Sequence, residues 1–202
     1  ITRVARLEKA VAGLAPDLPL TLLDLVIPAL RQLSPEQYER FKESVKALVK
    51  ADGKISLFEF AIQQIIIHRL NVAFHPRTEK EVYRSIEPLV DDAVAVLSKL
   101  AAVGHADDRE AGKALNIAMS QIPIAGSHEA TYVTDVPLKD VGRALSRFAA
   151  ARPGVKRVLL DAAAYCILYD KTVTASEAEL LRAVAYALDL PLPSMVTSPA
   201  KR

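Results

Sequence analysis

The sequence is short of the residues on which several kinds of site depend. It has one cysteine, no tryptophan and seven glycines among 202 residues. A single cysteine excludes an internal disulfide framework, and the glycines do not have the spacing of a phosphate-binding loop. The longest stretch without Asp, Glu, Lys or Arg, residues 114–128, is too short and too polar to span a bilayer. The net charge of +2 is too small to produce a strong electrostatic attraction for nucleic acid.

What is present indicates a globular helical protein. Apolar residues make up 51% and charged residues 25% of the chain, which is ordinary for a folded domain. Patterns of alternating strand residues are nearly absent, whereas apolar residues recur at the three-and-four spacing of helices. We therefore predict an all-α bundle of about eight or nine helices, forming one domain over residues 1–196 with a flexible tail at 197–202. One predicted helix begins at the Ser34-Pro35 start signal and is stopped by Asp52-Gly53. The other predicted helices cover residues 2–12, 20–33, 56–70, 86–103, 107–121, 138–151, 155–169 and 175–188, with loops at 71–81 and 123–136.

A shift of 118 positions superposes two helical hairpins, residues 34–70 and 152–188, without a gap. It carries Pro35 onto Pro153, and the turn that starts at Asp52 onto the turn that starts at Asp170. Each turn continues with a β-branched residue that we expect to be buried, a hydroxyl residue, and glutamate three residues later. This repeat predicts a pseudo-symmetric bundle in which the two hairpins pack through equivalent faces.

The acidic residues of the two turns are the candidate metal ligands: Asp52, Glu59, Asp170 and Glu177. A standard calcium loop is excluded, because a hard divalent cation needs about six to eight oxygen ligands and one hairpin offers two carboxylates. In one interpretation the aspartates accept from turn amides and the glutamates complete capping boxes, which need these residue types at this spacing. In the other, the four carboxylates converge on a metal ion shared between the hairpins.

Nothing in the sequence assembles a catalytic constellation. His128-Glu129 begins a zinc-peptidase HExxH pattern, but Tyr132 stands where the second histidine belongs and the surroundings predict a loop. Cys166 lies on an apolar helix face, which indicates a packing residue rather than a nucleophile. We therefore predict no catalytic and no cofactor-binding residue in this chain.

The predicted helix at residues 20–33 is apolar around most of its circumference, with Asp24 and Arg31 as its only charges. Fully apolar helices are usually buried, so we expect this one in the core. The alternative is that one side docks on a partner or on polypeptide outside this chain. Pro28 should bend it, because proline removes one helical hydrogen bond.

Two segments carry a family resemblance. Residues 51–60 read ADGKISLFEF and residues 169–177 read YDKTVTASE. Both resemble the turn-and-helix signature of TerB-like (tellurite-resistance) domains. More narrowly, residues 22–34, 49–70, 100–107 and 160–193 resemble the C-terminal region of bacterial membrane-bound zinc metallopeptidases of the HtpX and CAAX-prenyl-protease-like family.

The resemblance implies a non-catalytic accessory, regulatory or protein-interaction module that follows the catalytic domain of a membrane-bound peptidase. Zinc is expected in that domain, N-terminal to Ile1, because this chain has neither the HExxH motif nor a downstream glutamate ligand. The implied partners are the chain's own N-terminal peptidase domain and a further protein or a second copy. Nucleic acid and direct membrane insertion are not expected. The implied location is the cytoplasmic side of the inner membrane, reached through the peptidase part.

The same resemblance supports an alternative function. TerB-like domains are thought to bind metal through acidic residues, which carries over only to Asp52, Glu59, Asp170 and Glu177. The alternative is therefore a divalent-metal-sensing module that uses paired acidic turns.

Overall fold

The computed structural model describes residues 18–50, 82–124 and 130–192, together with positions 60, 63, 64, 66, 69, 70, 73 and 74. This part of the chain is all-α, as predicted. Its α-helices are α1 (Leu18–Leu30), α2 (Pro35–Lys50), α3 (Val90–Gly104), α4 (Asp108–Ser120), α5 (Leu138–Ala149), α6 (Pro153–Ile167) and α7 (Ala175–Ala187). A 3₁₀ turn, Glu87–Leu89, precedes α3, and the described positions between 60 and 74 are helical as well.

The helices begin where local signals predict. Ser34 precedes α2 as its cap: the Gln37 amide donates to Ser34 Oγ at 3.3 Å, and the Ser34 amide donates to Gln37 Oε1 at 2.8 Å. Asp107 caps α4 by accepting from the Arg109 amide. Helix α6 begins two residues before the predicted start at residue 155, at Pro153, a position at which the missing N–H of proline costs no helical bond. The starts of these helices therefore follow from residues within one turn of them.

Helix α3 is the centre of a five-helix bundle, because it contacts each of α4, α5, α6 and α7. Many of the buried residues of these helices are alanines, and small side chains let helix axes approach closely. The fully buried alanines of these helices are Ala93, Ala101, Ala111, Ala114, Ala118, Ala162, Ala163, Ala164 and Ala183. Larger buried side chains, including Leu97, Leu145 and Phe148, fill the space between them. The bundle thus has one continuous apolar core.

A second, smaller core joins α1, α2 and the 60–74 segment. Its buried residues are Ile27, Tyr38, Ile66 and Leu70, and Phe74 stacks on the Tyr38 ring with 4.3 Å between centroids. We call these elements the N-terminal layer. It meets the bundle where Phe60 joins the bundle core and where Tyr186 of α7 packs against the small core.

Two expectations about loops and turns are wrong. The loop predicted for residues 71–81 is helical at Ala73 and Phe74, because packing of Phe74 on Tyr38 favours continuation of the helix. Val173, expected to be buried in the second turn, is 38% exposed. The buried side chain of that region is Glu177 instead, which is 2% exposed.

Helix α1 also departs from expectation, because it is not enclosed by the core. Ile27 is 2% exposed, but Leu25 is 72% exposed and Leu22 and Val26 are also largely in contact with solvent. One face of α1 covers the small core through Ile27, and the side chains of Leu22, Leu25 and Val26 lie outside it. The helix ends at Leu30, and hydrogen bonds of the turn type follow it to Leu33.

Several predictions fall outside the described residues: the helix at 2–12, the turn at 52–53, most of the helix at 56–70 and the tail at 197–202. The helix count and the pseudo-symmetry of the two hairpins are therefore not confirmed.

Candidate functional site

The acidic turn between α6 and α7 has the local geometry predicted from its sequence. Asp170 is exposed, and its Oδ1 accepts from the Thr172 amide at 2.8 Å. Lys171 has a φ of 64°, in the left-handed region that favours glycine. The residue aligned with Lys171 in the first hairpin is Gly53. Asp170 therefore closes a tight turn, as the capping interpretation predicted.

Glu177 completes a capping box at the start of α7. Its Oε2 accepts from the Thr174 amide at 2.7 Å and from Thr174 Oγ1 at 2.8 Å, and Thr174 Oγ1 in turn accepts from the Glu177 amide. The carboxylate lies against the backbone of Gly104, where any Cβ would stand 2.0 Å from Glu177 Oε1. Gly104 thus leaves the space in which this buried carboxylate is held.

The other two candidate ligands, Asp52 and Glu59, lie outside the described residues. Convergence of the four carboxylates on a shared metal ion is therefore still a prediction. In the part of the chain that the structure describes, no three His, Cys, Asp or Glu side chains are grouped so that they could hold a metal ion. Asp170 and Glu177 have different environments, since one faces solvent and the other is enclosed.

Cys166 is a buried packing residue, as predicted. Its Sγ lies 3.8 Å from the carbonyl oxygen of Leu97. Burial raises the pKa of the Cys166 thiol to about 12, and the nearby Glu177 carboxylate acts in the same direction. Because the thiolate is the nucleophilic form, this side chain stays in its unreactive form at neutral pH.

A partly buried ion pair between α3 and α5 was not found by sequence reasoning. The Arg147 guanidinium binds the Asp92 carboxylate, and it also donates to Tyr83 Oη at 3.0 Å and to the Pro88 carbonyl at 3.2 Å. Burial raises the pKa of Asp92, while Arg147 acts in the opposite direction. Backbone bonds, from the Val82 amide to Ala150 and from the Arg152 amide to Tyr83, fix the same segment. Together, the ion pair and these hydrogen bonds hold residues 82–89 against the bundle.

A polar cluster lies on the surface where α3, α4 and α6 meet. Tyr169 Oη donates to Glu110 Oε2 at 3.0 Å, and Lys113 Nζ donates to Glu110 Oε1 at 2.8 Å. The bond from Lys113, followed by that from Tyr169, lowers the pKa of Glu110. The His105 ring meets the edge of the Tyr169 ring with 5.6 Å between centroids. These contacts join the ends of three helices.

The exposed apolar face of α1 is the feature with the clearest binding potential. Leu22, Leu25, Val26 and Ala29 are all exposed and follow the spacing i, i+3, i+4, i+7, which places them on one side of a helix. We call these four residues the α1 stripe. Contiguous apolar side chains on a surface are typical of an interaction site. The sequence signal was the apolar circumference of residues 20–33, for which partner docking was the alternative to burial.

No family model, no curated protein and no solved structure matches this chain. None of the helices in the described ranges combines the length and the apolar character required for crossing a membrane.

Proposed function

We propose that this chain is a non-catalytic interaction module appended to a membrane-bound zinc metallopeptidase, which binds its own N-terminal polypeptide through the α1 stripe and so regulates proteolysis. The peptidase, its zinc and its location on the cytoplasmic side of the inner membrane are inferred from the family resemblance. This resemblance lies in residues 22–34, 49–70, 100–107 and 160–193. The binding surface is inferred from the exposed side chains of α1.

The observation that carries the proposal is the exposure of Leu25, 72%, on a helix whose opposite face is buried at Ile27, 2% exposed. Covering a large apolar side chain with a partner contributes about 1.5–3 kcal/mol when the side chain becomes fully buried. Leu22 and Val26 are partly exposed beside Leu25 and would add to this. The face therefore favours a partner that presents apolar side chains at helical spacing.

We propose that the fold of the module consists of a pair of TerB-like hairpins. The aligned prolines, Pro35 and Pro153, are both the first residue of a long helix, α2 and α6. Lys171, aligned with Gly53, has the left-handed backbone that a glycine adopts readily. These two correspondences support a duplicated hairpin in which the acidic turns have an architectural role.

The test uses the full-length protein, in membranes, with zinc present. We expect Leu25→Asp to change its rate of zinc-dependent cleavage of an unfolded substrate about fivefold or more, a typical size for coupling between sites. The matched control is Val82→Asp, which places the same charge at a position 64% exposed on the bundle. We expect it to leave the rate unchanged.

The isolated 202-residue chain provides the second half of the test. We expect it to fold and to cleave no unfolded substrate when zinc is added. The proposal is wrong if the isolated chain shows turnover that a chelator removes, or if full-length Leu25→Asp cleaves at the wild-type rate.

A further inference from the structure

Residues 82–89, which we call the strap, lie between the N-terminal layer and α3 in chain order. The strap belongs to the bundle, because Ile86 and Leu89 are buried in the bundle core. Its first residue, Val82, has a side chain that is 64% exposed. An opening of the layer that spreads along the chain therefore reaches the strap before it reaches α3.

One side chain of α5 contacts both ends of the strap. The Arg147 guanidinium donates to Tyr83 Oη at 3.0 Å near the start of the strap, and to the Pro88 carbonyl at 3.2 Å near its end. It also lies over the Tyr83 ring, with 5.2 Å from its Cζ to the ring centroid. Its third partner is the carboxylate of Asp92, in the first turn of α3. Arg147 therefore ties the strap to the helix that follows it and to α5.

Backbone bonds at the start of the strap depend on the same position. The Val82 amide donates to the Ala150 carbonyl at 2.9 Å, and the Arg152 amide donates to the Tyr83 carbonyl at 3.0 Å. These bonds join the strap to the connection between α5 and α6. A backbone hydrogen bond contributes only modestly to stability, whereas bonds from a charged donor are the stronger kind. The bonds from Arg147 are therefore the ones that keep this end of the strap closed.

We propose that Arg147 is a clasp that confines local unfolding to the N-terminal layer. With the clasp closed, the strap opens only when the bundle opens, and without it the strap opens together with the layer. This is a conformational device that goes beyond the proposed function and does not rest on it. It separates movement of the layer from the stability of the bundle.

The test is native-state hydrogen exchange of the 202-residue chain over a series of urea concentrations below the unfolding transition. The amides of Val82 and Arg152 report on the strap, those of α2 on the layer and those of α4 on the bundle. In the wild-type chain we expect the two strap amides to exchange with those of α4. In Arg147→Met, which keeps the side-chain length but removes the charge and the donors, their exchange should accelerate about tenfold or more and follow that of α2.

The matched control is Arg143→Met, one turn earlier on α5. Arg143 is 73% exposed and binds Asp140 on the same helix. We expect this variant to leave the exchange of Val82 and Arg152 unchanged. Should Arg147→Met fail to fold, Tyr83→Phe serves as the second variant, since it keeps the ring and removes only the hydroxyl that accepts from Arg147. It should accelerate the same two amides by a smaller factor.

The proposal is overturned if the strap amides already exchange with α2 in the wild-type chain, or if α2 and α4 open with a single free energy. It is equally overturned if the strap keeps its wild-type exchange after the clasp is removed. Acceleration of α4 by the same factor as the strap would also contradict it, because Arg147 would then stabilise the bundle as a whole.

Discussion

The five-helix bundle and the N-terminal layer bury their apolar residues in different ways. In the bundle, α3 is surrounded by four other helices, and its buried residues include Leu97 and Leu100 with no exposed area. In the N-terminal layer, the buried residues are Ile27, Tyr38, Ile66 and Leu70, with partly exposed side chains around them. Among the described residues, the bundle therefore has the larger and more completely enclosed core.

The contacts described between the two regions include aromatic side chains. Arg69 lies over the ring of Tyr186, with 4.7 Å from its guanidinium carbon to the ring centroid. Gly142 of α5 is approached by the side chains of Phe60 and Gln64. Regions with small cores and few contacts open before the rest of a protein. We therefore expect the layer to open locally while the bundle stays folded, and the predictions below test this difference.

The largest effect is expected from Phe148→Ala in the bundle. Phe148 has no exposed area and lies in the main core. Removing the ring should lower the free energy of unfolding by about 3–5 kcal/mol, through lost burial and the cavity left behind. Urea unfolding followed by circular dichroism measures this loss. A loss below about 1 kcal/mol would show that the bundle core is looser than its burial indicates.

Tyr38→Ala is the counterpart in the N-terminal layer. The ring is 1% exposed and stacks on Phe74, so its loss should cost about 2–3 kcal/mol, less than in the main core because fewer elements surround it. Native-state hydrogen exchange should accelerate in α2 and stay unchanged in α3 and α6. Ser44→Ala, on the exposed side of α2, is the control. Equal acceleration in α3 would show that the two regions unfold together.

Gly104→Ala tests a contact within the bundle, between Gly104 of α3 and the Glu177 carboxylate of α7. An added Cβ would lie 2.0 Å from Glu177 Oε1, so the carboxylate must leave its place at the start of α7. We expect a loss of about 1–3 kcal/mol, the usual range for overpacking. In a Glu177→Ala background the same change should cost little, because the clash is absent. Gly154→Ala, with nothing within 4 Å of the new atom, is the matched control.

The sequence predicted those features that depend on residues near one another in the chain. The starts of α2, α4 and α7 follow from cap residues and a proline within a single turn, whereas α6 begins at Pro153, two residues before the predicted start at residue 155. The roles of Asp170 and Thr174 in the second turn were predictable for the same reason. Local hydrogen bonds leave a signature at fixed spacing, because the partners are at most three residues apart.

Features that depend on distant partners could not be predicted. Arg147 and Asp92 are 55 residues apart, and nothing near either residue indicates the other. The bridge between Tyr83 and Ala151 likewise forms only when the helices have packed. The exposure of Leu25 was missed because an apolar helix has the same sequence pattern whether one or both of its faces are covered.

The smallest effect is expected at the two capping boxes, one in each region. Thr174→Ala should cost about 2 kcal/mol, because Glu177 is 2% exposed and its carboxylate would lose the Thr174 hydroxyl while still enclosed. Ser34→Ala should cost about 0.5 kcal/mol, because Gln37 is exposed and water can replace the lost bond. Thr174→Ser keeps the hydroxyl and is the control. Denaturation of all three variants measures the difference, and a larger loss at Ser34 than at Thr174 would contradict the contrast between an enclosed and a solvated cap.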